Sequence, residues 1–307
     1  MPFPIEKKLV IAIASSALFD LSESDTIFRT KGIRAYKKYQ EEHIDNTLPQ
    51  GVAFPFIRRL LHFNTIFTEE QPVEVILMSR NSPETGMRVF RSIQHYGLPI
   101  TRAAFFSGNS PFKYLPAYNV SLFLSAHNED VRNAIQTGYG AGRVINSTIT
   151  DIEKDSQLRL AFDFDGVLAD DAAEKIYQET HDLQKFHDME SHHANIPHIP
   201  GPLQDFIKKI SLFQDLEKRK SEQEEYTPLL NISLITARNS PSHERVVNTL
   251  KAWGISVDQT FFLGGIDKSN VLKILKPHIY FDDQLGHLKQ VNNIPLVHIP
   301  FGIVNNT

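Results

Sequence analysis

The chain has 307 residues and a net charge of −4, with acids and bases interspersed, so it offers no basic footprint for a nucleic acid polymer. It contains no cysteine, which excludes disulfides and thiolate catalysis, and no apolar run approaches the length of a membrane span. At 41% hydrophobic it can bury a large core in one or two domains.

The opening residues, Met1-Pro2-Phe3-Pro4-Ile5-Glu6-Lys7-Lys8, do not read as a signal peptide, because the apolar run after them is too short. A cytoplasmic location is therefore expected. That run, Leu9-Val10-Ile11-Ala12-Ile13-Ala14, has the composition of a strand and leads into Ser15-Ser16-Ala17-Leu18. Residues 22–42 read as a polar helix. Phe56, Ile57, Leu60, Leu61 and Phe63 are spaced for the buried face of another. A second strand, Val73-Glu74-Val75-Ile76-Leu77-Met78, ends in Ser79-Arg80-Asn81-Ser82-Pro83. Gly138-Tyr139-Gly140-Ala141-Gly142-Arg143 lacks the glycine order of a phosphate loop and reads as a connection into Val144-Ile145.

The strand Leu158-Arg159-Leu160-Ala161-Phe162 stops at two carboxylates, Asp163 and Asp165, followed by Gly166. Residues two apart in an extended segment point to the same side, so both acids can approach one ligand. Two close carboxylates repel or share a proton unless a divalent cation intervenes, and a hard, oxygen-preferring ion such as Mg²⁺ is the natural guest. One acid can then attack phosphorus while the other serves leaving group and water as acid and base. The same pair is also compatible with a structural metal or a solvated turn, so the two acids alone do not decide between these roles.

Three more segments, downstream and in this order, bear on the choice. Ile232-Ser233-Leu234-Ile235-Thr236-Ala237-Arg238 is an apolar strand ending in a hydroxyl, and Gly264-Gly265-Ile266-Asp267-Lys268 is a glycine turn that delivers a lysine to a helix start. Ile279-Tyr280-Phe281-Asp282-Asp283 is a strand ending in two more acids. Phosphoryl transfer spreads negative charge over equatorial oxygens and is catalysed by positioning and cationic stabilisation. Thr236 and the amides after it can donate to those oxygens, and Lys268 offers a point charge. Singly, each has a plainer reading: Thr236 as a strand end, Lys268 as a solvated lysine, Asp283 as a turn former. Their joint order favours the phosphoryl site.

From Asp163 to Thr236 there are 73 residues, against 32 from Thr236 to Lys268 and 14 from Lys268 to Asp282. The excess, with helical stretches at 172–186, 202–213 and 216–225, predicts a small helical cap over residues 172–230. Its histidines, His181, His187, His192, His193 and His198, have no cysteine partners and read as solvated rather than metal-binding. Lys218-Arg219-Lys220 reads as a solvated charge run.

The chain also repeats itself. Arg80-Asn81-Ser82-Pro83 recurs as Arg238-Asn239-Ser240-Pro241. At an offset of 157, Tyr96-Gly97-Leu98 answers Trp253-Gly254-Ile255, and Phe105-Phe106-Ser107-Gly108 answers Phe262-Leu263-Gly264-Gly265. Duplication of a whole domain is expected. Ser125 and Ala126 stand where the second copy has Asp282 and Asp283, Pro111 faces Lys268, and serines come after the first strand in place of Asp163 and Asp165. The expected organisation is a first domain over 1–150 without acids and a catalytic domain over 151–307.

The four motifs, in this order, resemble those of the haloacid dehalogenase-like (HAD-like) phosphohydrolases. The resemblance implies a doubly wound parallel-sheet α/β catalytic domain with a small helical cap, preceded by a degenerate HAD-like α/β domain. It assigns Asp163 as nucleophile, Asp165 as acid and base, and Thr236 as phosphate ligand. Lys268 balances charge at the phosphate, and Asp282 completes a metal shell with Asp163 and Asp165, supported by Asp283. Arg238 is a further phosphate or ribose contact, unless it is a turn arginine like Arg80.

The whole chain is similar to the cytosolic 5′-nucleotidase type 1 family. The carrying stretches include Ile13-Ala14-Ser15-Ser16-Ala17-Leu18-Phe19, Ser110-Pro111-Phe112-Lys113-Tyr114-Leu115-Pro116-Ala117-Tyr118 and Pro277-His278-Ile279-Tyr280-Phe281-Asp282-Asp283-Gln284. The likeness implies Mg²⁺-dependent release of phosphate from nucleoside 5′-monophosphates, AMP among them, with no nucleic acid polymer and no membrane as partner. A homo-oligomer is among the states it allows. One departure is visible: the first motif is Asp-Phe-Asp-Gly here and Asp-Gly-Asp-Ala in eukaryotic members. The rival readings are a phosphatase or phosphotransferase for another small phosphate ester, and a nucleotide-binding regulator without catalysis.

Overall fold

A computed structural model describes residues 4–145, 151–172, 175, 182–289, 291 and 293–305. The chain forms two compact units: Met1–Tyr139 with Arg143–Ile152, and Gly140–Gly142 with Glu153–Thr307. Both are α/β with parallel strands. His181 and most of the helix expected at 172–186 lie outside the described residues.

In the first unit, β1 (Leu9–Ile13), β2 (Val73–Ser79), β3 (Arg102–Phe105) and β4 (Leu122–Ser125) lie in the order β3-β2-β1-β4. Every residue of β1 is buried, as its unbroken apolar run requires of a central parallel strand. The helix Phe54–Ile66 buries Phe56, Ile57, Leu60, Leu61 and Phe63, the face its spacing predicts. It also buries Arg59, whose guanidinium meets Asp151 at 2.6 Å. β5 (Ala141–Ile145) falls at the division between the units.

In the second unit, β6 (Leu158–Phe162), β7 (Leu230–Thr236), β8 (Gln259–Phe262), β9 (Ile279–Asp282) and β10 (Leu296–His298) take the order β10-β9-β6-β7-β8. Ile13 of β1 pairs with Leu77 and Leu124, and Phe162 of β6 pairs with Leu234 and Phe281. Ser79 pairs with Phe105, and Thr236 with Phe262. Strand for strand the two units have the same pairing. Each also carries helices between its first two strands, behind an isolated antiparallel bridge: Phe19 with Gln50, and Ala169 with Pro200. A glycine comes directly after each bridge because the chains there approach closely. A Cβ on Gly51 would lie 2.7 Å from the Phe19 nitrogen, and one on Gly201 would lie 2.3 Å from the Ala169 oxygen.

Between β6 and β7 stand the helices Leu183–His192 and Gln204–Gln223. The break expected between 213 and 216 is absent: no glycine or proline interrupts the stretch, and one helix runs through. In both units the connections leave the central strand in opposite directions, β2 and β3 to one side and β4 to the other, then β7 and β8 against β9. Ligands of parallel α/β sheets bind at that switch point, beyond the carboxyl ends of the strands.

Candidate functional site

Three of the side chains expected at the site meet at the switch point of the second unit. Asp163 comes directly after β6, and its N–H donates to the Phe281 carbonyl at 2.8 Å, which ties the acid to the end of β9. Asp282 is the last residue of β9 and is fully buried. Lys268 opens the helix Lys268–Leu275, capped by the Asp267 carboxylate on the Ser269 N–H. The preceding turn has positive φ at Gly264 and Gly265, 56° and 91°, a conformation glycine adopts without strain. The lysine Nζ lands between the acids, 2.5 Å from Asp163 and 2.9 Å from Asp282.

Burial pushes the Asp163 carboxyl up to about 7 against the pull of Lys268, and the neighbouring Asp282 adds to the rise. Asp282 goes the other way: although burial opposes its charge, Lys268 and His287 hold it well below the carboxylate range. The Tyr280 hydroxyl hydrogen-bonds to Asp282 as well. Asp283, 3% exposed, is driven up to about 9 by burial and then by the charges of Asp163 and Asp282. Its Oδ1 is buried with no hydrogen-bond partner.

Asp163, Asp282 and His287 offer ligand atoms that all lie within 4.8 Å of one another. The two carboxylates, with the unpartnered oxygen of Asp283 beside them, are hard donors that suit a divalent cation. The structure thus brings Asp163, Lys268 and Asp282 together and adds His287, which nothing in the sequence singles out.

Asp165 is held elsewhere. The Arg238 guanidinium forks onto it, Nε to Oδ2 at 2.8 Å and Nη2 to Oδ1 at 2.7 Å. The remaining Nη1 donates to Glu190, which is buried in the helix Leu183–His192. Arg245 meets the other oxygen of Glu190 at 2.8 Å, and His198 lies 3.3 Å away. His198 is therefore a buried part of this network rather than the solvated histidine expected, whereas His192 and His193 are exposed.

Arg238 is 5% exposed and lies over the rings of Phe164 and Phe186. Its parallel with Arg80 fails at atomic detail. Ser79 and Thr236 share a pairing position, but Arg80 comes one residue after Ser79 and Arg238 two after Thr236. The extra residue, Ala237, turns Arg238 toward Asp165, while Arg80 pairs with Asp130. Thr236 is buried at the end of β7, and its Oγ1 accepts from the Arg238 N–H at 3.2 Å.

Glu190 should make stability acid-sensitive. Burial opposes its charge, but His198 and Arg238 bring it down to about 2 from an ordinary 4.5. A lowered carboxyl contributes stability that is present above the ordinary carboxylate range and lost as pH falls toward 2. The contribution is about 3 kcal/mol in full. Denaturant melts from pH 5.5 to 2.5 should show this loss in the wild type and a shallower pH slope in Glu190→Gln. That variant should start about 3–5 kcal/mol less stable, because two arginines lose a buried partner. Equal slopes would remove the assignment.

A family model described as 5′-nucleotidase matches residues 1–306. The human protein named Cytosolic 5′-nucleotidase 1B is 33% identical over 296 residues, covering 94% of this chain and 48% of that relative. The chain spans about half the length of this curated relative. No solved structure matches. Among the described residues no helix is long and apolar enough to cross a membrane.

Proposed function

The chain belongs to the 5′-nucleotidase family, and from that premise we propose that its second unit hydrolyses nucleoside 5′-monophosphates of the AMP type. The reading treats this unit as a HAD-like α/β domain with the helices between β6 and β7 as its cap. The first unit is a copy of the same fold without the acids, and the protein is placed in the cytoplasm. The observation that carries the proposal is the buried Asp163–Lys268–Asp282 cluster at the sheet's switch point.

A divalent cation, Mg²⁺ on this reading, would be held by Asp163 and Asp282 with Asp283 in support, and would supply positive charge to the phosphoryl oxygens; the Asp165 carboxylate, expected as a third ligand, has both oxygens on Arg238 instead. An Asp163 oxygen attacks phosphorus, the P–O bond to the nucleoside breaks, and Asp165 gives its proton to the leaving 5′-oxygen. Asp165 then takes a proton from water as the water oxygen attacks the aspartyl-phosphate. Phosphate leaves and Asp163 is restored. Lys268 balances the acids and, with Thr236, the phosphate charge. Arg238 is spent on Asp165 and Glu190, which supports orientation of the acid/base group over direct phosphate binding.

The test is phosphate release from a panel of nucleoside 5′-monophosphates and sugar phosphates, with Mg²⁺ and with chelator. Release confined to nucleotides and abolished by chelator is the expected result. Release chiefly from sugar phosphates would keep the chemistry and discard the substrate, and no release would favour a nucleotide-binding regulator.

A further inference from the structure

The first unit has a cavity of about 630 Å³ at its own switch point, within the range that holds a small ligand. Its floor is the set of strand ends that answer those of the second unit: Ala14 rather than a serine stands where Asp163 does, its N–H on the Leu124 carbonyl as that of Asp163 is on Phe281, while Ser16 answers Asp165, Ser79 answers Thr236 and Ser125 answers Asp282. Ser15 and Ser16 come after β1, Ser79 ends β2 and Ser125 ends β4. The backbone around it keeps the second unit's form, with positive φ at Ser107 and Gly108, 47° and 94°, as at Gly264 and Gly265. At the ends of the strands β1 and β4 the acids of the second unit have neutral counterparts. The Glu190–Arg245 ion pair is answered by a hydrogen bond in which the Arg88 guanidinium donates to the neutral amide oxygen of Gln40.

The charged groups that line the cavity are each matched by an opposite charge. Arg80 meets Asp130 at 2.6 Å, Lys37 meets Glu84 at 3.1 Å, and Asp25 meets Arg29 at 2.8 Å. Asp130 is itself 1% exposed, so a phosphate seeking Arg80 would have to displace a buried carboxylate. What the floor offers is hydroxyl groups. Ser16 and Ser125 accept from the N–H groups of Ala126 and His127, which leaves their own O–H hydrogens to donate inward. The opposite wall is formed by Ser22–Glu42, two helical arms that meet at Gly32, and it carries Phe28, Ile33 and Tyr36 beside Ser24, Asp25 and Lys37; Phe28 is 46% exposed.

A ligand complementary to this space has hydrogen-bonding oxygens at one end, a flat apolar ring at the other and no net charge. We infer that the first unit binds an uncharged nucleoside, sugar toward the serines and base against Phe28 and Tyr36. This site differs in ligand charge from the phosphate site proposed for the second unit, and it does not depend on that unit's catalysis.

Calorimetric titration of the full chain with adenosine, AMP and inorganic phosphate, in chelator, tests it. Two variants leave the proposed catalytic residues untouched: Phe28→Ala removes a half-exposed ring, and Ser16→Phe fills the floor. Adenosine affinity should fall at least about tenfold in Phe28→Ala. It should vanish from this site in Ser16→Phe, while phosphate release from AMP at saturation stays within about twofold of wild type. Melting temperatures identify a variant that fails to fold, and Phe28→Ala then decides alone. Adenosine binding unchanged by Phe28→Ala would overturn the inference. So would absence of adenosine binding at millimolar concentration, or AMP or phosphate binding weakened by the variants more than adenosine is. Adenosine binding lost in the variants of a protein that releases no phosphate would uphold this site and reject the hydrolase reading, so the two fail separately.

Discussion

Asp163→Asn is expected to lower phosphate release from AMP by at least about 10³-fold while leaving the protein folded. The amide has nearly the shape of the carboxylate but no anionic oxygen with which to attack phosphorus, so the loss falls on kcat. The stability side rests on the charges already present. Asp163 is buried and its carboxyl is pushed up to about 7, so its ionised form is less favoured in the fold than in water. Neutralising it removes repulsion with Asp282, and Lys268 keeps Asp282 as partner at 2.9 Å. Thermal melts of the variant should stay within a few degrees of wild type. A folded variant with near-normal turnover would show that the nucleophile lies elsewhere. An unfolded one would show that the Lys268–Asp163 pair is needed for the structure itself.

The sequence exposes this cluster because each member ends or begins a regular element. Asp163 and Asp282 terminate apolar strands, and Lys268 comes after a glycine turn, so linear spacing converts directly into proximity once the strands are parallel neighbours. The likeness of the two units' strand pairing is legible for the same reason. A one-residue slip in a buried strand would exchange its two faces, so the offset of 157 survives from Leu77 and Leu234 through Leu124 and Phe281.

Residues between elements are less legible. Glu190 lies in a polar helix rich in histidine, and nothing in its neighbours distinguishes a buried, three-partner carboxylate from a solvated one. His287 lies five residues beyond Asp282, on a short helix whose direction no periodicity sets. The shift at Ala237 is also hidden, because the four matching letters of Arg-Asn-Ser-Pro align more readily than the strand pairing that governs where the arginine points. The absence of acids after β1 and at the end of β4 can be read from the sequence. That the first unit encloses a cavity cannot, because enclosure depends on how Ser22–Glu42 lies across the strand ends.

Arg238→Lys should separate two roles for the arginine. As a phosphate ligand, its loss would raise KM for AMP and leave kcat largely intact, since the interaction is made with substrate and transition state alike. As the group that orients Asp165, its loss should lower kcat by about 10²-fold with KM nearly unchanged, because proton transfer depends on a correctly placed acid. The geometry favours the second outcome. The planar guanidinium reaches both oxygens of Asp165 and one of Glu190 at once, and a lysine, being a point charge, cannot span both carboxylates. Glu190→Gln should act on the same step, and the double variant should lose less than the product of the two single losses, because both substitutions release the same fork. A KM increase without change in kcat would return Arg238 to the phosphate. Full multiplicativity of the two substitutions would break the connection from the helix Leu183–His192 through Arg238 to Asp165.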